Sequence, residues 1–107
     1  QKVKEILNSK IDSSVSLDEI ASALYFSKTY VKAVFKKYTG TTIIKYYNEL
    51  KIDEAKRLIS LDDYTISEIT KKLGFSSIHY FSRLFKQITD MTPSEYSRSI
   101  RADNVLK

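Results

Sequence analysis

The sequence contains no cysteine. That excludes disulfides, thiolate zinc sites and cysteine nucleophiles, and is compatible with a reducing compartment. Two glycines and one proline are the only strong punctuation in 107 residues. So few turn points favour helices over a many-stranded sheet. The one histidine, His79, lacks Cys or His companions for a metal, and lacks a nucleophile or orienting carboxylate at a recognisable spacing. No apolar run approaches the ~20 residues of a membrane span, and no signal peptide is visible. The chain opens at Gln1, directly in helical pattern, and is expected to be a piece of a longer protein.

What remains is an apolar, basic, periodic chain. The length fits one compact domain or two small lobes sharing a core, and 42% hydrophobic residues can support one. A net charge of +5, with a pI near 9.3, suggests a polyanionic partner: nucleic acid first, an anionic membrane surface second. A merely solvated surface would carry the same balance.

Residues 17–42 and 66–92 are two copies of one helical unit. At an offset of 49, Glu19, Ile20, Leu24, Phe26 and Ser27 match Glu68, Ile69, Leu73, Phe75 and Ser76. At an offset of 50, Tyr30, Phe35, Lys36, Thr39 and Thr42 match Tyr80, Phe85, Lys86, Thr89 and Thr92. One extra residue therefore sits at the second turn.

Val3, Ile6, Leu7 and Ile11 predict a first amphipathic helix, broken at Asp12-Ser13-Ser14. Ser16 with Glu19, and Thr65 with Glu68, have capping-box spacing. Leu17, Ile20, Ala21 and Leu24 face inward, and Tyr25-Phe26-Ser27 makes a turn. Val31, Val34, Phe35 and Tyr38 then recur at i, i+3, i+4, i+7, up to a stop at Thr39-Gly40. Residues 43–60 form the longest helix, about 27 Å. Its apolar positions, including Ile44, keep to no single stripe, as suits a helix whose two ends pack against different partners. Asp62-Asp63-Tyr64 is the next break. Ile66, Ile69 and Leu73 pack inward, Gly74 relieves the turn, and Phe81, Leu84, Phe85 and Ile88 repeat the stripe. Thr92-Pro93-Ser94-Glu95 starts a short final helix with Tyr96 and Ile100 inward, and residues 101–107 are expected to fray.

Each unit is thus two short helices joined by a tight turn, an arrangement that can put its second helix into a DNA major groove. With the core stripes removed, one second helix offers Lys28, Thr29, Lys32, Ala33, Lys36 and Lys37. The other offers Ile78, His79, Ser82, Arg83, Lys86 and Gln87. Both faces mix cations, small hydroxyls and an apolar contact. Arg and Lys donate to guanine O6 and N7, Ser and Thr serve either base type, and Ala or Ile touches a thymine methyl. Ser27, Ser76 and Ser77 cap helix N-termini, which also bind phosphate. Tyr25, Tyr30 and Tyr80 flank the turns within reach of phosphates, whereas Tyr38, Tyr47 and Tyr96 fit core stripes. Glu19, Glu68 and Glu95 sit at helix starts, where the dipole favours them, and do not form a catalytic pair.

The segment Gly74-Phe75, Tyr80-Phe81-Ser82-Arg83-Leu84-Phe85-Lys86 and Thr92-Pro93-x-x-Tyr96 resembles the C-terminal signature of the AraC/XylS transcription regulators. Ile20-Ala21, Leu24, Ser27, Tyr30-Val31, Phe35-Lys36-Lys37 and Gly40 are similar to that family's first helix-turn-helix, and Tyr47 through Ile59 looks like its connecting helix. Asp90, Ser97 and Lys51 depart from the family's usual Gly, Arg and Arg. The resemblance covers residues 3 to about 100. It implies an all-α fold of seven helices, with one helix-turn-helix lobe at 1–42, a linker helix at 43–60 and a second lobe at 61–107. It implies base-facing Thr29, Lys32, Ala33, Ile78, His79, Ser82 and Arg83. Ser27, Lys28, Lys36, Lys37, Ser76, Ser77, Tyr80 and Lys86 are expected on the phosphate backbone. The implied partners are double-stranded DNA and RNA polymerase, with no membrane and no cofactor, in the bacterial cytoplasm at the nucleoid. The domain is expected to be monomeric, within a protein whose separate N-terminal domain serves effector binding, dimerisation or signal reception.

The reading is sequence-specific promoter binding, coupled to polymerase recruitment or to repression. A helical protein-interaction module on the same fold is the rival. An enzyme is disfavoured by the lack of a nucleophile, metal cluster or phosphate loop.

Overall fold

The computed structural model describes residues 2–11 and 16–106, without the side chains of 103–106. Seven helices and no strand occur among the described residues: α1 Lys2–Ser9, α2 Leu17–Leu24, α3 Lys28–Thr39, α4 Ile43–Leu61, α5 Ile66–Lys72, α6 Ile78–Thr89 and α7 Pro93–Leu106. The expected break at Asp12-Ser13-Ser14 lies outside the described residues.

Local chemistry fixes the boundaries. Ser16 and Thr65 close reciprocal capping boxes with Glu19 and Glu68. Thr92 does the same with Glu95: the Glu95 N–H donates to Thr92 Oγ1 at 3.1 Å, and the Thr92 N–H donates to Glu95 Oε1 at 2.8 Å. That backbone bond, with the Thr92 hydroxyl second, holds the Glu95 carboxyl below the usual carboxylate range. Helices α2 and α5 end alike. The Phe26 N–H donates to the Ala21 carbonyl and the Phe75 N–H to the Thr70 carbonyl, around Tyr25 (φ 61°) and Gly74 (φ 74°) in the left-handed region. Ser27 and Ser77 then cap α3 and α6. The extra residue of the second turn is therefore Ser76.

The repeat continues past the helix-turn-helix. Thr39 Oγ1 donates to the Phe35 or Thr41 carbonyl, as Thr89 Oγ1 does to that of Phe85 or Met91. Phe35 meets Tyr46 edge-on at 5.5 Å, and Phe85 meets Tyr96 at 5.6 Å. The start of α4 is thus the structural equivalent of α7.

Two cores result. Leu7, Ile20, Ala21, Val31, Phe35, Ile43 and Tyr47 form the first. Ile52, Ala55, Leu58, Ile59, Ile69, Leu73, Phe81 and Phe85 form the second. Helix α4 feeds both with its opposite ends, as its broad apolar pattern suggested. The molecule is accordingly elongated, 50 × 25 × 21 Å.

Several expectations need correction. Tyr38 is 69% exposed and Ile88 is exposed as well, because the last turns of α3 and α6 project beyond the helices that cover their middles. Ile44 is 60% exposed on the open side of α4. Ile11 lies in the turn after α1 and packs against the second core rather than the first. Helix α7 is not short: it has 14 residues and passes through the segment expected to fray. Within it Arg101 pairs with Asp62 at the end of α4 and donates to Ser97 Oγ, both contacts on the exposed surface. The Asp90 substitution does not disturb the end of α6. Asp90 takes the left-handed cap (φ 68°) that Gly40 takes in α3 (φ 77°).

Two stability predictions follow from this geometry. Phe35→Ala and Phe85→Ala each remove a ring at the centre of a small core and should cost about 3–5 kcal/mol. Thermal melts followed by helix-sensitive spectroscopy should show loss of the affected lobe. Gly40→Ala puts a Cβ on a left-handed residue and should cost about 1–2 kcal/mol, whereas Tyr25→Gly should gain up to about 1 kcal/mol, because Tyr25 is 94% exposed and left-handed. Denaturant midpoints of the two variants should move in opposite directions.

Candidate nucleic-acid interface

Packing decides which face of each second helix is free. Val31 and Phe35 anchor α3, and Phe81 and Phe85 anchor α6. With those positions inward, Lys28, Thr29, Lys32, Ala33, Lys36 and Lys37 are all exposed on α3. On α6, Ile78, His79, Arg83, Lys86 and Gln87 are exposed, and Ser82 is half-buried beside the core stripe. Lys28 Nζ lies 3.7 Å from Asp18 in the first turn of α2, an exposed pair that ties α3 to α2 only weakly.

The α3 residues converge. Thr29, Lys32, Ala33, Lys36 and Lys37 line one concavity of about 740 Å³ with Leu17, Thr42, Ile43 and Ile44. On α6, Tyr80, Arg83, Leu84 and Gln87 line a smaller hollow of about 310 Å³. His79, Ile78 and Ser82 line neither. Ser27, Ser76 and Ser77 are exposed at the two helix starts, their caps made through Ser27 and Ser77. Tyr25, Tyr30 and Tyr80 are exposed at the turns, with Tyr30 against Phe26 and Tyr80 against Phe75.

A groove of about 520 Å³ joins the two hollows. Ile44, Lys45, Asn48 and Glu49 of α4 form one wall, and Leu84, Gln87 and Ile88 of α6 the other. It shares Thr42 and Ile44 with the α3 concavity, and Leu84 and Gln87 with the α6 hollow. One surface thus runs from α3 across α4 to α6. Lys45 and Asn48 escaped the sequence reading, because only the structure shows that Ile44 lies on the open side of α4.

The surface offers cations, hydroxyls, amides, isolated apolar groups and one carboxylate, that of Glu49. Among the described residues, no group of three or more His, Cys, Asp or Glu could hold a metal. No described helix is long and apolar enough to cross a membrane.

A family model described as a helix-turn-helix domain matches residues 7–99. An AraC-type DNA-binding-domain protein from Chromobacterium violaceum is 30% identical. Its structure superimposes with a TM-score of 0.83, over 92% of this chain and 88% of that one. The chain belongs to the AraC-type helix-turn-helix family. The DNA-binding domain of AdpA, a global transcriptional factor solved with a target DNA, is 20% identical with a TM-score of 0.89 over 95% of this chain and 92% of that one, and shows the shared fold. The regulatory protein PocR of Salmonella typhimurium is 29% identical over 97% of this chain, which spans 34% of PocR's length.

Within the AraC-type domain, the repeat pairs the two faces residue for residue. At an offset of 50, Thr29 corresponds to His79, Lys32 to Ser82, Ala33 to Arg83 and Lys36 to Lys86. The outer lysine recurs, but the central cation moves by one position, from Lys32 to the equivalent of Ala33. A bidentate cation discriminates between bases by about 1–3 kcal/mol, so Arg83→Ala and Lys32→Ala should each weaken specific binding by that order and relax the preference at different base pairs. Lys37→Ala should instead weaken binding to all sequences alike and lower the salt slope. Selection of bound duplexes with each variant reads this directly. An unchanged preferred sequence for Arg83→Ala would remove it from base readout.

Proposed function

We propose that this chain is the DNA-reading part of a bacterial transcription regulator, placing α3 and α6 in adjacent major-groove segments on one face of a duplex. The observation that carries this reading is the adjoining surface: two N-capped helices present cationic outer faces, and the hollows beside them share lining residues with a groove across α4. Thr29, Lys32 and Ala33 read one segment, and Ile78, His79, Ser82 and Arg83 the other. Ser27, Lys28, Lys36, Lys37, Ser76, Ser77, Tyr80 and Lys86 hold the backbone. Lys45 and Asn48 face the phosphates between the two segments.

The dimensions support this. Successive groove faces lie about 34 Å apart. Helix α4, at 19 residues, spans about 28 Å, and the molecule is 50 Å long. A small offset of each recognition helix, or slight DNA bending, covers the rest. Because the central cation differs between the faces, the two half-sites differ in sequence and form no palindrome. One copy suffices. Coupling to RNA polymerase or to repression belongs to the longer protein, in the bacterial cytoplasm at the nucleoid. The chain's role is binding, without chemical turnover.

The isolated chain should bind duplex DNA as a monomer and protect two neighbouring major-groove segments, with affinity falling steeply as salt rises. Footprinting, together with the stoichiometry of the complex, checks this. A single short protected segment, or binding that requires a dimer, contradicts it. No binding to any duplex at low salt favours a protein-interaction module.

A further inference from the structure

Helix α4 carries a buried lysine that the DNA-reading surface does not use. Lys51 is only 3% exposed and lies where α4 passes from one core to the other, after Ile43 and Tyr47 and just before Ile52 and Ala55. Its ammonium sits 4.6 Å from the ring centre of Tyr47 and 5.1 Å from that of Phe75. Tyr47 belongs to the first core, and its hydroxyl donates to the Lys10 carbonyl at 2.5 Å. Phe75 belongs to the turn between α5 and α6. Its ring lies 5.1 Å from Phe81 and 6.0 Å from Tyr80, both in the first turn of the second recognition helix. A single cation therefore contacts aromatic faces from both lobes.

Burial of that charge is unfavourable, and desolvation lowers the Lys51 pKa. An apolar side chain of similar volume would fill the site without this penalty, and such replacements are often neutral or stabilising. What the ammonium adds is direction. It is attracted to ring faces and constrains their planes, whereas apolar contact is non-directional. The internal repeat supplies a control. Phe26, the counterpart of Phe75 in the first unit, is 55% exposed and its ring lies tilted against that of Tyr30, 4.9 Å between centres. The two-ring arrangement is thus a feature of the seam between lobes and not of the helix-turn-helix unit.

We propose that Lys51 is a positioning residue: held between Tyr47 and Phe75, it fixes the angle of the second helix-turn-helix on α4, and so selects the spacing between the two DNA half-sites that the chain accepts. The proposal rests on the two-segment reading above.

The test uses the duplex preferred by the wild-type chain, the same duplex with one base pair inserted or removed between half-sites, and a duplex with the α6 half-site alone. A wild-type chain that selects no duplex ends the DNA reading, and this proposal with it, before any variant is made. Otherwise the wild-type chain should lose roughly tenfold in affinity on each change of spacing. Lys51→Met should keep its helicity and half-site affinity, yet bind the three spacings within about threefold of one another. Lys51→Arg should restore discrimination. Phe75→Leu, which removes the ring and keeps most of the volume, should behave like Lys51→Met. A packing role alone would move the melting temperature and leave spacing preference intact. Wild-type spacing preference in folded Lys51→Met or Phe75→Leu overturns the proposal. So does a Lys51→Met chain that cannot fold, because the ammonium is then a folding requirement.

Discussion

Helix α4 buries Ile43 and Tyr47 in one core and Ile52, Ala55, Leu58 and Ile59 in the other, so neither lobe closes without it. A two-helix unit such as α2–α3 has too little apolar surface to fold alone, and a third helix must cover it. In both lobes that third helix crosses the end of the recognition helix, bringing Tyr46 to Phe35 and Tyr96 to Phe85. Because the cover of the first lobe continues unbroken into the second, the two recognition helices share a rigid element. Binding across two groove segments then depends on packing within one chain and not on association of two.

The repeat shows which features the unit requires and which are adjustable. Required are the N-caps Ser27 and Ser77, the left-handed residue after α2 and α5, and the threonine that closes the end of each recognition helix. Each satisfies backbone groups that a short helix leaves open. The identity of the left-handed residue is adjustable. Tyr25 stands opposite Gly74, and Asp90 opposite Gly40, each exchange accepting some backbone strain. Also adjustable is the recognition face, where the central cation has moved by one position. Shared scaffold chemistry with divergent outer faces is what two unlike half-sites demand.

The sequence made the helices legible because each start has a chemical marker and each buried face a 3.6-residue period. Ser16-Glu19, Thr65-Glu68 and Thr92-Glu95 located three helix starts, and the change of offset located an extra residue that proves to be Ser76. Periodicity names the side of a helix that faces inward but not how far along its axis the core extends. That is why Tyr38 and Ile88, correctly placed on the stripe, lie in the open. Ile44 on α4 shows the converse: an apolar residue on the exposed side cannot be told from a core one when a helix serves two cores. Arg101 on α7 meets Asp62, a contact across 39 positions that no local pattern encodes. Lys51 was readable only as a departure from a family pattern. Its place between Tyr47 and Phe75 is a tertiary fact. The α3 and α6 faces were legible as faces, whereas the strip of Lys45 and Asn48 that joins them required the packing of α4 on α6.

The central claim is that α4 holds α3 and α6 at one fixed separation before any DNA is present. The lack of native cysteine makes a direct measurement clean. Spin labels on Ser22→Cys in α2 and Lys71→Cys in α5, both exposed and outside the reading faces, report the distance between the two helix-turn-helix units. The account predicts one narrow distance distribution in the free protein that shifts little on binding duplex. A broad or two-peaked distribution in the free protein, collapsing to one distance only on DNA, would contradict it.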